Sequence, residues 1–359
     1  MTRPVDSIAW LLVVIATSCG DDDTGTRPDG ATTLDAAATD DAARHDDASV
    51  LPDGARDHDA AGLDAAHAPD ASAPDATTPD AGPPELPPCP AFDDPVEIGT
   101  VATGALDEAS GLVASRVHAG VLWLHNDSGD DARLFAIGLD GEHVGTLSLS
   151  VDRPRDIEDM AIAPAADGGW FLYLGDIGDN DEARASISIL RVREPDVLPS
   201  ERPFAVTLEA DVLEVTYADG AHNAETLLAD PEAGDLFIVE KTSAAVSGLY
   251  RVAAPFAPGG SVVADRVATI ATGRSLGLTT GGDVSADGRE IVVRGYGRTA
   301  SLWRRLAGSP LADAFAIDAC EIPIADEPQG ETFGWMPDGS GYLTVSEGSA
   351  QPIFRSARR

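Results

Sequence analysis

The chain has 359 residues, enough for one large or two ordinary domains, and it carries a formal net charge of −37 with an isoelectric point near 4.2. Proteins that bind nucleic acid contact phosphates with clustered Lys and Arg, so this acidic balance excludes nucleic acid as a partner. We expect the chain to be a monomer.

An apolar run, IAWLLVVIATS at 8 to 18, follows Arg3 at the start of the chain. It is too short for a comfortable membrane span and has the length of a signal-peptide core. The next residue is Cys19, and the stretch ATSC at 16 to 19 resembles the lipobox of bacterial lipoproteins, although Ala16 stands where that family usually has Leu. The resemblance implies that residues 1–19 are a lipoprotein signal peptide.

If the resemblance holds, Cys19 is lipidated and anchors the protein to a membrane of the cell envelope, on the extracytoplasmic side of the outer membrane or at the cell surface. A plain secretory signal is the alternative reading of the same run.

Residues 20–88 consist almost entirely of Ala, Asp, Pro, Thr and Gly, without an aromatic residue. Such a segment buries too little apolar surface to offset its ordering entropy, so we predict a disordered linker. A flexible coil of this length spans roughly 45 to 50 Å, and Pro and charge extend it further. The prediction is a tether that holds a domain away from a membrane; an acidic tract that chelates cations is the alternative.

Two cysteines remain, Cys89 and Cys320. With Cys19 lipidated they form an even pair in an oxidising compartment, where a disulfide is the default expectation. Two free thiols are the alternative.

From about residue 95 the sequence consists of short Val, Ile, Leu and aromatic runs broken by Gly, Asp and Pro, which predicts an all-β domain over 89–359. Five repeat units each open with an acidic residue and continue with three apolar segments. Units of this size predict a β-propeller of five four-stranded blades. The stretch PVEIGTVATG at 95 to 104 is expected to close it as the missing strand of the fifth blade.

Two alternatives stay open. One is a sixth blade around FAVTLEADVLEVTYADG at 204 to 220, and the other is a two-sheet sandwich, which would not explain five acidic starts.

The first strand of a blade begins on the face where the second strand ends, because consecutive strands are antiparallel. Residues at these two positions in each unit are therefore expected to lie near one axis. The strand-start residues are Glu108, Glu158, Glu225, Asp283 and Glu331. The strand-end residues are Asp127, Asp176, Lys241, Arg294 and Glu347.

Carboxylates held close together raise one another's pKa or need a cation among them. Asp and Asn oxygens suit Ca²⁺, and DIGDND at 176 to 181 adds Asp179 and Asn180 to the candidates, with Asp159 beside Glu158. We therefore expect Ca²⁺ as a cofactor on this face. The alternative for any single residue is an ordinary hairpin turn, and Lys241 and Arg294 offer internal counter-charges.

His125 and His222 are each followed by Asn and lie within three residues of an acid. Both belong to the predicted face, so either is a candidate general base or phosphate contact, with Lys241 and Arg294 as further catalytic candidates. Polar loop histidines without a role are the alternative.

The acidic strand starts, Ser346-Glu347 after a terminal strand, and DIED at 156 to 159 resemble the extracytoplasmic propellers grouped with esterase-like phytase domains. Gly does not follow Glu158, where that group often has it. The resemblance implies a propeller fold and raises the possibility of phosphoesterase activity.

Two functions follow. The first is a membrane-anchored module that binds a polar small molecule, glycan or protein on its acidic face, with Ca²⁺. The second is a metal-dependent hydrolase of phosphate esters. We favour binding, because an acidic face repels an anionic substrate unless metal is present and the sequence offers no obvious nucleophile.

Overall fold

The computed structural model describes residues 86–271 and 277–359. The predicted signal peptide, Cys19 and the linker up to residue 85 lie outside the described residues, so those expectations stay predictions. The described part is all-β: its strands lie in four sheets, and one of these sheets has eight strands. Within these residues a 3-10 helix, Leu311–Ala316, interrupts the fourth set of strands.

The strands form antiparallel sets of four, which we call units and number in chain order. Strand β1 (Val96–Thr100) precedes the first unit and belongs to the last. The first unit consists of β2 (Ala109–Ala114), β3 (Val121–Asn126), β4 (Arg133–Gly138) and β5 (His143–Ser150). The second begins with β6 (Ile157–Pro164), β7 (Trp170–Asp176) and β8 (Ile187–Arg193).

The segment from Phe204 to Tyr217 does not form a sheet of its own. Strand β9 (Phe204–Glu209) runs parallel to β5 at the edge of the first unit. Strand β10 (Asp211–Tyr217) pairs with β8 and completes the second unit. The segment that suggested a sixth blade is thus divided between two neighbouring units.

The third unit consists of β11 (Ala224–Ala229), β12 (Leu236–Glu240), β13 (Ser247–Val252) and β14 (Ser261–Ile270). A parallel pairing of β10 with β14 joins the second and third units into the eight-stranded sheet. The fourth unit consists of β15 (Thr279–Val284), β16 (Glu290–Gly295), β17 (Thr299–Arg304) and β18 (Cys320–Pro323).

The fifth unit is completed by the start of the domain. Its own strands are β19 (Gly334–Trp335), β20 (Gly341–Val345) and β21 (Pro352–Ala357), and β1 pairs antiparallel with β21 as the fourth strand. The pairing covers the outer edge of β21, which would otherwise present unpaired backbone groups.

The lead strands β2, β6, β11, β15 and β19 contact one another in sequence, and β19 contacts β2. Five apolar clusters lie between successive units. Trp123 packs with residues of the second unit, for example, and Trp335 packs with residues of the fourth. The lead strands β2 and β11 are buried along their whole length and consist mostly of apolar or small residues, although β11 also carries Glu225 and Thr226.

A disulfide between Cys89 and Cys320 ties the residues before β1 to β18, with the two Cα atoms 5.7 Å apart and a sequence separation of 231. We predict that thiol labelling of unreduced, unfolded protein finds neither cysteine free, whereas labelling after reduction finds both. Stoichiometric labelling without reduction would contradict the bond.

Candidate functional site

Each lead strand carries an irregularity near its start. In the first four units the pairing of the lead strand with its neighbour shifts by one residue at Ser110, Glu158, Glu225 and Thr280. In the fifth unit Glu331 follows the bridge between Gly330 and Ser346. Bulges of this kind redirect a side chain and are frequent beside functional sites. These equivalent positions of the five units carry hydroxyl side chains at Ser110 and Thr280 and carboxyl side chains at Glu158, Glu225 and Glu331.

Five carboxyl groups meet where these bulges converge, and we call them the carboxylate cluster: Asp127, Asp156, Glu158, Glu331 and Glu347. They form two groups of three, and within each group one oxygen of every carboxyl lies within 4.8 Å of the others. The first group is Asp127, Asp156 and Glu158, and the second is Asp127, Glu331 and Glu347. Asp127 belongs to both.

Two members of the cluster receive little compensation from hydrogen-bond donors. Glu158 is only 3% exposed, and its side chain hydrogen-bonds the carboxyl of Asp156, so that one of these two carboxyls holds the shared proton. Asp127 accepts a hydrogen bond from the backbone N–H of Ser128, but its Oδ1 atom is buried without a hydrogen-bond partner in the described part of the chain. Buried carboxylates are costly unless a donor or a cation compensates them.

The pKa values of the cluster respond to this burial. Desolvation, followed by the charges of neighbouring carboxylates, raises the pKa of Asp127 to about 7 and that of Glu158 well above its usual range. Burial and a carboxyl–carboxyl hydrogen bond with Glu331 raise the pKa of Glu347 to about 8. The cluster thus retains protons near neutral pH, and a cation that replaced them would relieve the same repulsion.

A chain of polar contacts continues from the cluster across the third, fourth and fifth units. Lys241 donates to Glu225, and its Nζ lies 3.4 Å from the hydroxyl of Tyr296. Tyr296 in turn donates to Glu331 Oε1 at 2.9 Å. Burial raises the pKa of Glu225 to about 7 although Lys241 opposes the shift. Lys241 is therefore already engaged with a carboxylate.

The stretch GDIGDN at 175 to 180 supports the cluster from the side. Asp176 accepts a hydrogen bond from the backbone N–H of Asp156 at 3.0 Å and from Arg184 at 2.9 Å. A Cβ atom on Gly178 would lie 2.2 Å from Asp156 Oδ2 and from Glu158 Oε1, so only glycine leaves room for both carboxyls. Asp176 acts as a positioning residue.

Asp179 and Asn180 hold the same loop against the third unit. Asp179 accepts a hydrogen bond from the backbone N–H of Arg184 at 2.8 Å, and its own N–H donates to Asn223 Oδ1. Asn180 accepts from the side-chain amide of Asn223 at 3.2 Å. These side chains are engaged in hydrogen bonds that order the loop.

Asp159 and Asp283 connect neighbouring units and do not belong to the carboxylate cluster. Asp159 accepts hydrogen bonds from the backbone N–H groups of Met160 and Leu227, and Asp283 from those of Val284 and Trp335. Each carboxylate thereby ties its own lead strand to the next one. Burial raises the pKa of both, with that of Asp283 reaching about 6.

Glu108 and Arg294 lie at the margins of the cluster. Glu108 is exposed, and its charge contributes to the raised pKa of Asp127. Arg294 forms a fully buried ion pair with Glu327 at 2.8 Å and donates to the carbonyl of Thr332, which holds the strand that follows Glu331. We assign Arg294 a structural role.

The two candidate histidines have different surroundings. His125 is 1% exposed; its Nδ1 hydrogen-bonds the carbonyl of Asn126, and desolvation lowers its pKa to about 4. His222 lies between Glu240 and Asp219, with the Tyr250 hydroxyl 2.8 Å from its Nε2. His125 is therefore a neutral buried side chain, and both nitrogens of His222 are engaged.

Sequence reasoning missed Asp156 and Tyr296 as site residues. Asp156 lies inside the DIED stretch, two residues before the bulge at Glu158, so the stretch itself was the available signal. Tyr296 lies two residues after Arg294, just beyond the end of β16, where the same strand-end rule would have found it.

A scan against protein-family models and a search of curated proteins return no match to this chain. Among the described residues, no helix is both long and apolar enough to cross a bilayer.

Proposed function

We propose that the domain is a five-bladed β-propeller that binds Ca²⁺ at the carboxylate cluster and, through it, a polar ligand. The propeller reading is supported by the five antiparallel units, by the cyclic contacts of their lead strands and by the apolar clusters between successive units. Strand β1 serves as the closing strand.

The observation that carries the binding proposal is the meeting of five carboxyl groups around Asp127, whose Oδ1 atom is buried without a hydrogen-bond partner among the described residues. Carboxylate oxygens are hard ligands that suit Ca²⁺. Asp127, Asp156 and Glu158 would hold one ion, and Asp127, Glu331 and Glu347 would hold another. A bound cation would supply positive charge where the neighbouring basic side chains are already paired, Lys241 with Glu225 and Arg184 with Asp176.

Binding is favoured over hydrolysis of phosphate esters by the state of the candidate catalytic groups. His125 is buried, His222 is held between two carboxylates, and Arg294 is buried in an ion pair. A general base must reach the proton that it abstracts. The resemblance to esterase-like phytase domains therefore supports the fold more than the reaction.

The cellular setting belongs to the same proposal. Lipidation at Cys19 and a long acidic linker would display the propeller on the extracytoplasmic side of an envelope membrane. Calcium is available to an exported protein, and the disulfide between Cys89 and Cys320 suits an oxidising compartment.

Thermal unfolding with Ca²⁺ and with chelator tests the proposal. Binding to the native state alone raises stability by mass action, so we expect millimolar Ca²⁺ to raise the melting temperature by ~5 °C or more. Gly178→Ala should remove most of this shift, because its Cβ would displace Asp156 or Glu158.

Gly104→Ala is the matched control, since a Cβ there meets no atom within 4 Å. This variant should keep the full shift. A wild-type melting temperature that ignores Ca²⁺, Mg²⁺ and Mn²⁺ alike would overturn the proposal.

A further inference from the structure

One exposed aromatic ring borders the carboxylate cluster. Tyr296 is 41% exposed, and it is the only aromatic residue in the described part of the chain with so much of its surface in solvent. Its hydroxyl donates to Glu331 Oε1, and the Lys241 ammonium lies 5.3 Å from the ring centroid. Both contacts hold the ring in place, so its exposure is that of a fixed apolar surface next to a group proposed to bind a cation.

The charge around the ring decides which ligands are compatible with it. Two divalent ions would leave the five carboxylates of the cluster with a residual negative charge, and Glu108 adds to it. Lys241 is neutralised by Glu225, and Arg184 by Asp176. A phosphate or carboxylate ligand would therefore meet net repulsion even with the cluster loaded, whereas a neutral ligand would not.

The number of carboxyl ligands in the cluster also favours a neutral ligand. Each group of three supplies three carboxyl groups, while Ca²⁺ takes about 6–8 oxygen ligands. Positions remain for ligand oxygens, and neutral hydroxyl groups fill them without adding negative charge. The Oδ1 atom of Asp127, the carboxyl common to both groups, is buried without a hydrogen-bond partner among the described residues, as expected of an oxygen that faces a cation.

We propose that the ligand is a neutral glycan, whose adjacent hydroxyls complete the coordination of Ca²⁺ while the C–H face of the sugar packs on Tyr296. A pyranose combines a hydroxyl edge with an apolar face, which matches a cation beside an exposed ring. The assignment rests on the proposed function, since it needs Ca²⁺ at the cluster.

The test uses the exported protein and a glycan array of neutral mannose, galactose, glucose and N-acetylglucosamine oligosaccharides, with phytate as an anionic probe in a separate titration. We expect binding of at least one neutral glycan in millimolar Ca²⁺, loss of that binding in chelator, and weaker binding of phytate.

Two variants separate the ring from the hydroxyl. Tyr296→Phe and Tyr296→Leu both lose the hydrogen bond to Glu331, so any effect on Ca²⁺ is common to them. Tyr296→Phe should keep glycan affinity within about twofold of wild type, while Tyr296→Leu should lose roughly 3- to 10-fold through the missing aromatic contact. The melting-temperature shift by Ca²⁺ is measured on the same samples.

Each outcome bears on one claim. The glycan assignment is wrong, and the cation site stands, if Ca²⁺ stabilises the protein but no neutral glycan binds. The same conclusion follows if glycan binding persists in chelator, or if the Tyr296→Phe and Tyr296→Leu variants have equal glycan affinity. Tighter binding of phytate than of any glycan would replace the assignment with a phosphate ligand. Absence of any stabilisation by divalent cations would remove the proposed function itself.

Discussion

Asp127→Asn is expected to lower Ca²⁺ affinity by on the order of 100-fold, since affinity in oxygen-ligand sites depends steeply on the number of charged ligands. Asp127 belongs to both groups of three carboxyls, so one substitution removes a charged ligand from each. Asn has nearly the same shape, and it removes a half-buried negative charge. The variant should therefore be as stable as wild type, or more stable, in chelator.

Isothermal titration calorimetry measures the affinity, and urea unfolding in chelator measures the stability. Asp181→Asn is the matched control, because it removes one negative charge from an exposed position in the loop that follows Asp176. It should change affinity little. Equal losses in the two variants would show that Ca²⁺ responds to the general acidity of the surface and that the cluster has no specific role.

Without Ca²⁺, the free energy of unfolding is expected to fall as the pH rises from about 4.5 to about 8. Asp127 has a folded-state pKa of about 7, Glu225 about 7 and Glu347 about 8, all above the ordinary carboxyl values of 3.8 and 4.5. In this window the native state holds protons on these carboxyls that the unfolded chain has released, so a rise in pH favours unfolding. His125, whose folded-state pKa is about 4, opposes the trend below about pH 6.5, but it is one group against several carboxyls. The shift of Asp127 alone corresponds to about 4 kcal/mol.

Carboxyls with lowered pKa act below this window. Asp130, Asp219 and Asp338 are stabilised in their charged forms by hydrogen bonds with neighbouring groups, and their contribution is lost as the pH falls through the folded pKa, beneath 3.8. They do not oppose the fall in stability between pH 4.5 and 8.

Calcium should reverse the trend, because Ca²⁺ and protons compete for the same oxygens and binding tightens as the cluster ionises. Urea midpoints at about pH 5 and about pH 8, each in chelator and in millimolar Ca²⁺, check both parts. Stability in chelator that is flat or rises across this range would contradict the raised pKa values.

Much of the strand order could be predicted from the sequence, because each strand is a short apolar run that ends in turn residues. Strand β5 lies on the segment HVGTLSLS, and β1 pairs with β21 at the place expected for a closing strand. The end of the fourth unit was less regular than expected. There the segment FAIDACEIPI contributes to a 3-10 helix and gives only the four-residue strand β18.

The positions that are structurally equivalent in the five units were harder to predict from the sequence. Glu158 and Glu225 fall at the irregularity of their lead strands, and Glu331 follows an isolated bridge. Glu108 precedes the bulge at Ser110 by two residues, and Asp283 follows the one at Thr280 by three. A shift of one residue along a strand turns a side chain to the opposite face. Apolar patterning does not reveal where a bulge lies, so Asp283 was expected at the start of β15 although it lies near the end of that strand.

The ion pairs around the cluster could not be predicted from the sequence either. Arg184 pairs with Asp176, and Arg294 with Glu327, across loops whose paths are not encoded in local patterns. These pairs explain why Asp176 and Arg294 support the cluster without belonging to it.

The most direct test is a crystal structure grown in Ca²⁺, read for anomalous scattering at the carboxylate cluster. The account predicts at least one calcium peak about 2.3–2.6 Å from oxygens of Asp127 and Glu158, or of Asp127 and Glu331. A well-ordered cluster without such a peak, with the carboxyls hydrogen-bonded only to one another and to water, would contradict a calcium-binding face.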